Sequence, residues 1–197
     1  SRSSSVCFST ASSAGRSRGR CSSGWRRSAR TSAVSSACDS VCSSSSAGAG
    51  LGVLPEAPEY PALRDAFLAR YEACLAETTR LFDGVAELLD ALDARRMRWG
   101  IVTNKAARFT VPVVTALQLA DRAATVVSGD TTPHPKPHPE PLFHAARELG
   151  IPANRCAYVG DDLRDITAGN AAGMPTLVAR WGYLGTGEPH DRWPATG

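Results

Sequence analysis

Large apolar residues begin late in this chain, and where they begin they are periodic. The first Leu is Leu51, and residues 1–50 contain no Leu, Ile or Met. Beyond that point Leu63, Phe67, Tyr71, Cys74 and Leu75 fall on one face of a helix over 61–80. Val85, Leu88, Leu89 and Leu92 repeat the pattern, with Asp83 as a plausible N-cap. RWGIVTN (98–104) reads as a short buried strand ended by polar residues. A helix over roughly 106–118 follows, which Pro112 should kink or delimit. AATVVSG (123–129) reads as the next strand, and the loop TTPHPKPHPEP leads into a helix around LFHAAREL. CAYVG (156–160) is a third strand, followed by a helix over 162–172 that Gly173 ends, and TLVAR (176–180) is the last strand.

Continuous apolar strands separated by single helices predict an α/β fold: a parallel sheet with helices on both faces. No internal repeat is present. Ligands bind such sheets outside the carboxyl ends of the strands.

Composition divides the chain into a leader and a body. Residues 1–50 carry 19 Ser, seven Arg and one acid, Asp39, whereas the rest carries 15 basic and 18 acidic side chains. Without large aliphatic side chains the leader buries too little apolar area to offset its ordering entropy, so it is expected to be disordered. Its excess of Ser, Arg, Ala, Gly and Cys, with whole residue types missing, is what GC-rich coding DNA gives when read out of frame. A genuine disordered extension and an organellar transit peptide are the other two readings. The aliphatic face of a transit peptide is missing, as is the apolar segment of a secretory signal. Four of the six cysteines lie in the leader with no core to organise disulfides, and no CxxC pair suggests zinc. The net charge of +3 is too small to argue for a nucleic-acid partner. No apolar run approaches the length that crosses a membrane.

The reactive residue types gather at predicted strand ends. Thr103 and Asn104 close the first strand of the body, Gly129 and Asp130 the second, and Gly160, Asp161 and Asp162 the third. Lys136 lies in the loop after the second strand, so all are expected on one rim of the sheet. In GDDLRD (160–165), Gly160 permits a tight turn, and Asp161, Asp162 and Asp165 offer hard oxygens that suit Mg²⁺. The same acids also suit a helix N-terminus with no metal. Lys136 is flanked as PHPKPHP, and prolines on both sides aim its ammonium, either at a phosphoryl group or simply at solvent. Thr103 and Asn104 offer a hydroxyl, an amide and backbone N–H groups for phosphate oxygens, or else mark an ordinary strand end. His134 and His138 are read as loop residues rather than a zinc pair, because the prolines between them forbid a helix.

These residues, in this order, resemble the haloacid dehalogenase (HAD) superfamily over 81–187, in its phosphoglycolate phosphatase branch. IVTNK (101–105) resembles the second motif of that family, which implies a phosphate-binding role for Thr103. HPKPHPEPL (134–142) resembles the third, which implies that Lys136 binds phosphate and orients the nucleophile. VGDDLRDI (159–166), with AGNAAGM (168–174), resembles the fourth, which implies Mg²⁺ on Asp161 with Asp162 and Asp165 in support. The resemblance implies a HAD-like Rossmannoid core over 81–197, stopping early at its C-terminus, and a helical cap remnant over 51–80. It also implies a Mg²⁺-dependent phosphomonoesterase, with catalytic roles for Lys136 and Thr103. The partner would be a small phosphorylated metabolite, not nucleic acid or membrane, and the enzyme a cytoplasmic monomer or homodimer. Phosphoglycolate is the first expected substrate. N-acetylmuramic acid 6-phosphate phosphatases are similar over the same stretch, so a sugar phosphate stays open.

The first motif of the family, D-x-D-G-T, which supplies the nucleophilic Asp and the acid/base Asp, occurs nowhere in the chain. Turnover by this chain is therefore expected to be impaired. A non-catalytic phosphate-binding α/β module is the alternative. Receiver domains use a similar inventory, but with the acids first and the Lys last, the reverse of the order here.

Overall fold

The computed structural model describes residues 5–8, 54, 56–182, 184 and 187–197. Five strands are present: β1 (Ser5–Phe8), β2 (Arg98–Val102), β3 (Val126–Val127), β4 (Cys156–Gly160) and β5 (Thr176–Val178). They form one parallel sheet in the order β3-β2-β1-β4-β5. The helices are α1 (Tyr60–Thr78), α2 (Val85–Ala94), α3 (Ala107–Ala116), α4 (Glu140–Leu149) and α5 (Leu163–Ala171).

The central strand comes from the stretch expected to lack regular structure. Cys7 of β1 lies opposite Gly100 of β2 and opposite Tyr158 of β4. A central strand gains ladder bonds on both edges, and Val6 and Phe8 are good strand formers. Four such residues inside a Ser-rich run give no period that a sequence window detects. The rest of the leader, residues 1–4 and 9–50, lies outside the described residues.

Two units make up the chain, dividing between Arg80 and Leu81, and β1 belongs with residues 81–197. In the unit that holds α1, Tyr60, Leu68 and Leu75 are buried while Leu63 is exposed. The predicted face of this helix is thus only partly the buried one. Apolar residues stand all round it, so periodicity alone does not single out a face.

In the sheet unit, β2 alternates. Trp99 and Ile101 pack with Leu89, Leu92, Val114 and Leu119, under α2 and α3. Val102 faces the other way and packs with Leu142, Ala146, Leu149 and Tyr158, under α4. Period-2 alternation across a sheet covered on both faces produces this division. The N-cap of α2 is Gly84 at φ +81°, not Asp83. Pro112 lies inside α3, and the helix runs through it to Ala116. Proline removes one intrahelical bond there, and the burial of Phe109, Val113 and Val114 holds the helix to the core. β3 is shorter than its apolar run predicts, although Ala124 N–H still donates to Trp99 O and Ile101 N–H to Thr125 O. Among the described residues no helix is long and apolar enough to cross a membrane.

Candidate active site

Strand order reverses at β1: β2 and β3 lie to one side, β4 and β5 to the other. In open α/β sheets the crevice beyond such a point is where ligands bind. The carboxyl ends of β2 and β4 flank it, and Lys136 joins them. Its Nζ donates to Val102 O at 3.0 Å, to Tyr158 Oη at 3.0 Å and to Asp165 Oδ1 at 2.7 Å. An ammonium has three protons, so each has an acceptor. The side chains of the Lys136–Asp165 pair are only 4% and 3% exposed.

Asp165 is committed on both oxygens. Oδ1 faces Lys136 and lies 3.3 Å from Tyr158 Oη, while Oδ2 accepts from Asp162 N–H at 3.2 Å. That last bond is half of a capping box at the start of α5. Asp162 forms the other half, accepting from Arg164 N–H at 2.8 Å and from the Arg164 guanidinium at 3.0 and 2.7 Å. Burial acts to raise the pKa of Asp162, but the hydrogen bonds from Arg164 and the charges of Arg164 and Lys136 outweigh it. The carboxyl is held below its ordinary value.

Asp161 follows the last residue of β4 and is buried. The chain after β5 folds back over it: Ala179 N–H donates to Gly160 O at 2.8 Å, and Gly182 N–H to Ala179 O at 2.8 Å. A Cβ on Gly182 would overlap the Asp161 carboxylate, and one on Gly160 would overlap Asp165. Gly160 is therefore required for that close approach and not for a left-handed turn. Among the described residues no group of three or more His, Cys, Asp or Glu side chains is placed to hold a metal ion. The three acids expected to serve metal have different surroundings. Asp162 caps a helix and pairs with Arg164, Asp165 pairs with Lys136, and Asp161 lies buried just past β4.

Thr103 is buried at the end of β2. Its N–H donates to Val127 O at 2.9 Å, and its Oγ1 accepts from Lys105 N–H at 3.2 Å. The backbone N–H expected to serve phosphate is therefore part of the sheet, and the hydroxyl is the group with a proton to offer. The Asn104 side chain faces the Lys136 backbone. Its Nδ2 donates to Lys136 O at 2.8 Å and its Oδ1 accepts from Lys136 N–H at 2.9 Å. The amide is spent on the loop backbone. Asp130 Oδ1 accepts from Ala107 N–H at 2.9 Å, at the start of α3. The rings of His134 and His138 lie 4.8 Å apart between centroids.

Two participants escape sequence reasoning. Tyr158 reads as an ordinary core aromatic of β4, yet its hydroxyl is part of the buried network. Lys105 is buried, although a Lys just past a strand reads as a solvated end.

A family model for haloacid dehalogenase-like hydrolases matches residues 46–179. The chain belongs to this family. It is similar to the N-acetylmuramic acid 6-phosphate phosphatase of Pseudomonas aeruginosa, 40% identical over 147 residues, covering 75% of this chain and 65% of that protein. It is also similar to the phosphoglycolate phosphatase of Xylella fastidiosa, 42% identical over 149 residues, covering 76% and 61%. This HAD-like hydrolase thus spans under two thirds of the length of those relatives. Among solved structures it is similar to a predicted phosphoglycolate phosphatase from Haemophilus somnus, at 28% identity and a TM-score of 0.63, covering 70% of this chain and 61% of that one. It shares its fold with CbbY from Rhodobacter sphaeroides, solved in complex with phosphate, at 16% identity and a TM-score of 0.68 over 98% of this chain and 91% of that one.

Proposed function

We propose that this HAD-like hydrolase is built as a phosphomonoesterase of small metabolites, with Lys136 and Thr103 as its phosphate-binding pair. The observation that carries the reading is the buried Lys136 ammonium, held where β2 and β4 end. A cation fixed there offsets the charge of a phosphate dianion without reorganising during the reaction. The Thr103 hydroxyl donates to a phosphoryl oxygen beside it. The substrate proposed first is 2-phosphoglycolate. The similarity to N-acetylmuramic acid 6-phosphate phosphatases, at nearly the same identity, supports that sugar phosphate as the second. A cytoplasmic location and a small-metabolite partner belong to the same reading.

Asp161 fits Mg²⁺ as a buried hard-oxygen ligand, because Mg²⁺ is commonly held by one or two carboxylates together with waters and substrate phosphate. When bound, the ion supplies charge neutralisation at the phosphoryl oxygens. Asp162 and Asp165, committed to Arg164 and Lys136, are left out of the proposed ligand set.

The attacking group is the weak point of the chain. In the sequence, Phe8 at the end of β1 is followed by Ser9, Thr10, Ala11, Ser12 and Ser13, with no carboxylate among them. Positioning and charge stabilisation remain, and covalent catalysis by an aspartate does not. The chain as it stands is expected to hydrolyse 2-phosphoglycolate with Mg²⁺ at close to the uncatalysed rate. The variant S9D/A11D/S12G/S13T, which writes D-T-D-G-T directly after β1, is expected to gain Mg²⁺-dependent phosphate release. Adding K136A to that variant should remove the gain. Robust Mg²⁺-dependent turnover by the unmodified chain, abolished by Asp161→Asn, would show that another nucleophile is present.

A further inference from the structure

We infer that Asn104 is a positioning residue whose carboxamide sets where the Lys136 ammonium sits. The inference deepens the phosphate-binding reading of Lys136 and takes its functional weight from it. Lys136 lies between Pro135 and Pro137, neither of which has an N–H. Its own N–H is therefore the single backbone donor of that tripeptide, and Asn104 Oδ1 takes it at 2.9 Å. The same carboxamide donates back to the Lys136 carbonyl at 2.8 Å. Both ends of one side-chain amide thus close on one residue 32 positions away, as a strand neighbour would.

The backbone of Asn104 is itself fixed. A Cβ on Gly129 would overlap the Asn104 carbonyl, so the end of β2 and the chain after β3 touch there, and Gly129 N–H donates to Lys105 O at 2.8 Å. Lys136 then reaches back along β2, and its Nζ donates to Val102 O, two residues before Asn104. The end of β2 therefore holds Lys136 twice, by its backbone through Asn104 and by its ammonium through Val102. Fixing both ends of a long flexible side chain removes rotamer freedom that would otherwise spread the charge over several ångströms.

The sequence supplies its own probe. Lys105 and Lys136 are the only two lysines in the chain, and both are buried. Pulsed acetylation with acetic anhydride, read peptide by peptide by mass spectrometry without phosphate, reports each amine separately. Asn104→Ala is expected to raise the labelling rate of Lys136 on the order of tenfold, from the loss of two hydrogen bonds, and that of Lys105 far less. Leu89→Ala, in the core on the other face of the sheet, is expected to raise both lysines together through global opening. If Asn104→Ala does not fold, Asn104→Asp provides the same test with a smaller rise. It keeps the acceptor for the Lys136 N–H and loses the donor to its carbonyl. An equal rise at both lysines, or none at Lys136, overturns the inference. A second series with inorganic phosphate separates the two readings. Failure of phosphate to protect Lys136 while Asn104→Ala still exposes it selectively refutes phosphate binding and leaves the clamp standing.

Discussion

Lys136→Met is the substitution on which the buried network makes its sharpest demand. Met fills nearly the same volume but carries no charge and no donor. The Asp165 carboxylate, 3% exposed, then loses a partner at 2.7 Å, and Val102 O and Tyr158 Oη each lose a bond at 3.0 Å. Tyr158 Oη stands 3.3 Å from both Val102 O and Asp165 Oδ1, so one proton is left to serve two acceptors. Asp165 keeps the Asp162 N–H on its other oxygen. What remains is a buried charge with neutral donors only. Breaking a buried pair in this way costs about 3–5 kcal/mol, a large part of the roughly 5–15 kcal/mol that stabilises a domain.

Urea denaturation followed by Trp fluorescence suits the measurement, since Trp99 is 1% exposed in the core. With a slope of about 2 kcal/mol per molar urea, the midpoint should fall by about 2 M. The double variant K136M/D165N removes the stranded charge and keeps the acceptor for Asp162 N–H. It should be more stable than K136M alone, with a coupling of about 0.5–3 kcal/mol between the sites. A K136M midpoint within about 0.5 M of the parent's, under 1 kcal/mol on the same slope, would refute the reasoning. It would mean that the ammonium does not hold a buried carboxylate in charge balance.

Two other expectations test the surroundings of the site. Gly129→Ala should cost about 1–3 kcal/mol in the same assay, because the backbone carbonyl its Cβ would meet cannot swing aside; Gly187→Ala, with open space around it, should stay within about 0.5 kcal/mol of the parent. Near the end of α2, hydrogen bonds from Arg122 and then Trp99 Nε1 hold the Asp93 carboxyl below its ordinary value of 3.8. A depressed folded pKa gives stability that is present above the unfolded value and lost as pH falls through the folded one. The deficit of Arg122→Ala relative to the parent should therefore be measurable at pH 7 and shrink toward zero below pH 3.8, and a deficit that persists at low pH would assign it to lost packing instead.

Much of the rim was legible from spacing, and little of its wiring. CAYVG predicted β4 to the residue, because a continuous apolar run bounded by polar groups has only one way to be buried in a parallel sheet. The same logic found β2 and placed Thr103, Lys136 and the acids after strand ends. It missed β1, where Ser5–Phe8 pairs on both sides with strands more than ninety residues away and nothing local in the sequence marks the pairing. It did not foresee the partners of Asn104, Asp162 and Asp165, for a related reason. A carboxylate or amide at a strand end is compatible with metal, phosphate, a helix cap or a cation, and spacing cannot choose among them. The choice is made by partners 29 and 32 residues distant for Asp165 and Asn104, and by an immediate neighbour for Asp162, where Arg164 competes as cation and cap at once. Each of these side chains is spent on holding Lys136 or on starting α5. On the proposed reading of Lys136 as a phosphate-binding cation, these bonds to its backbone and its ammonium are the positioning groups of a preorganised site, settled before any ligand arrives.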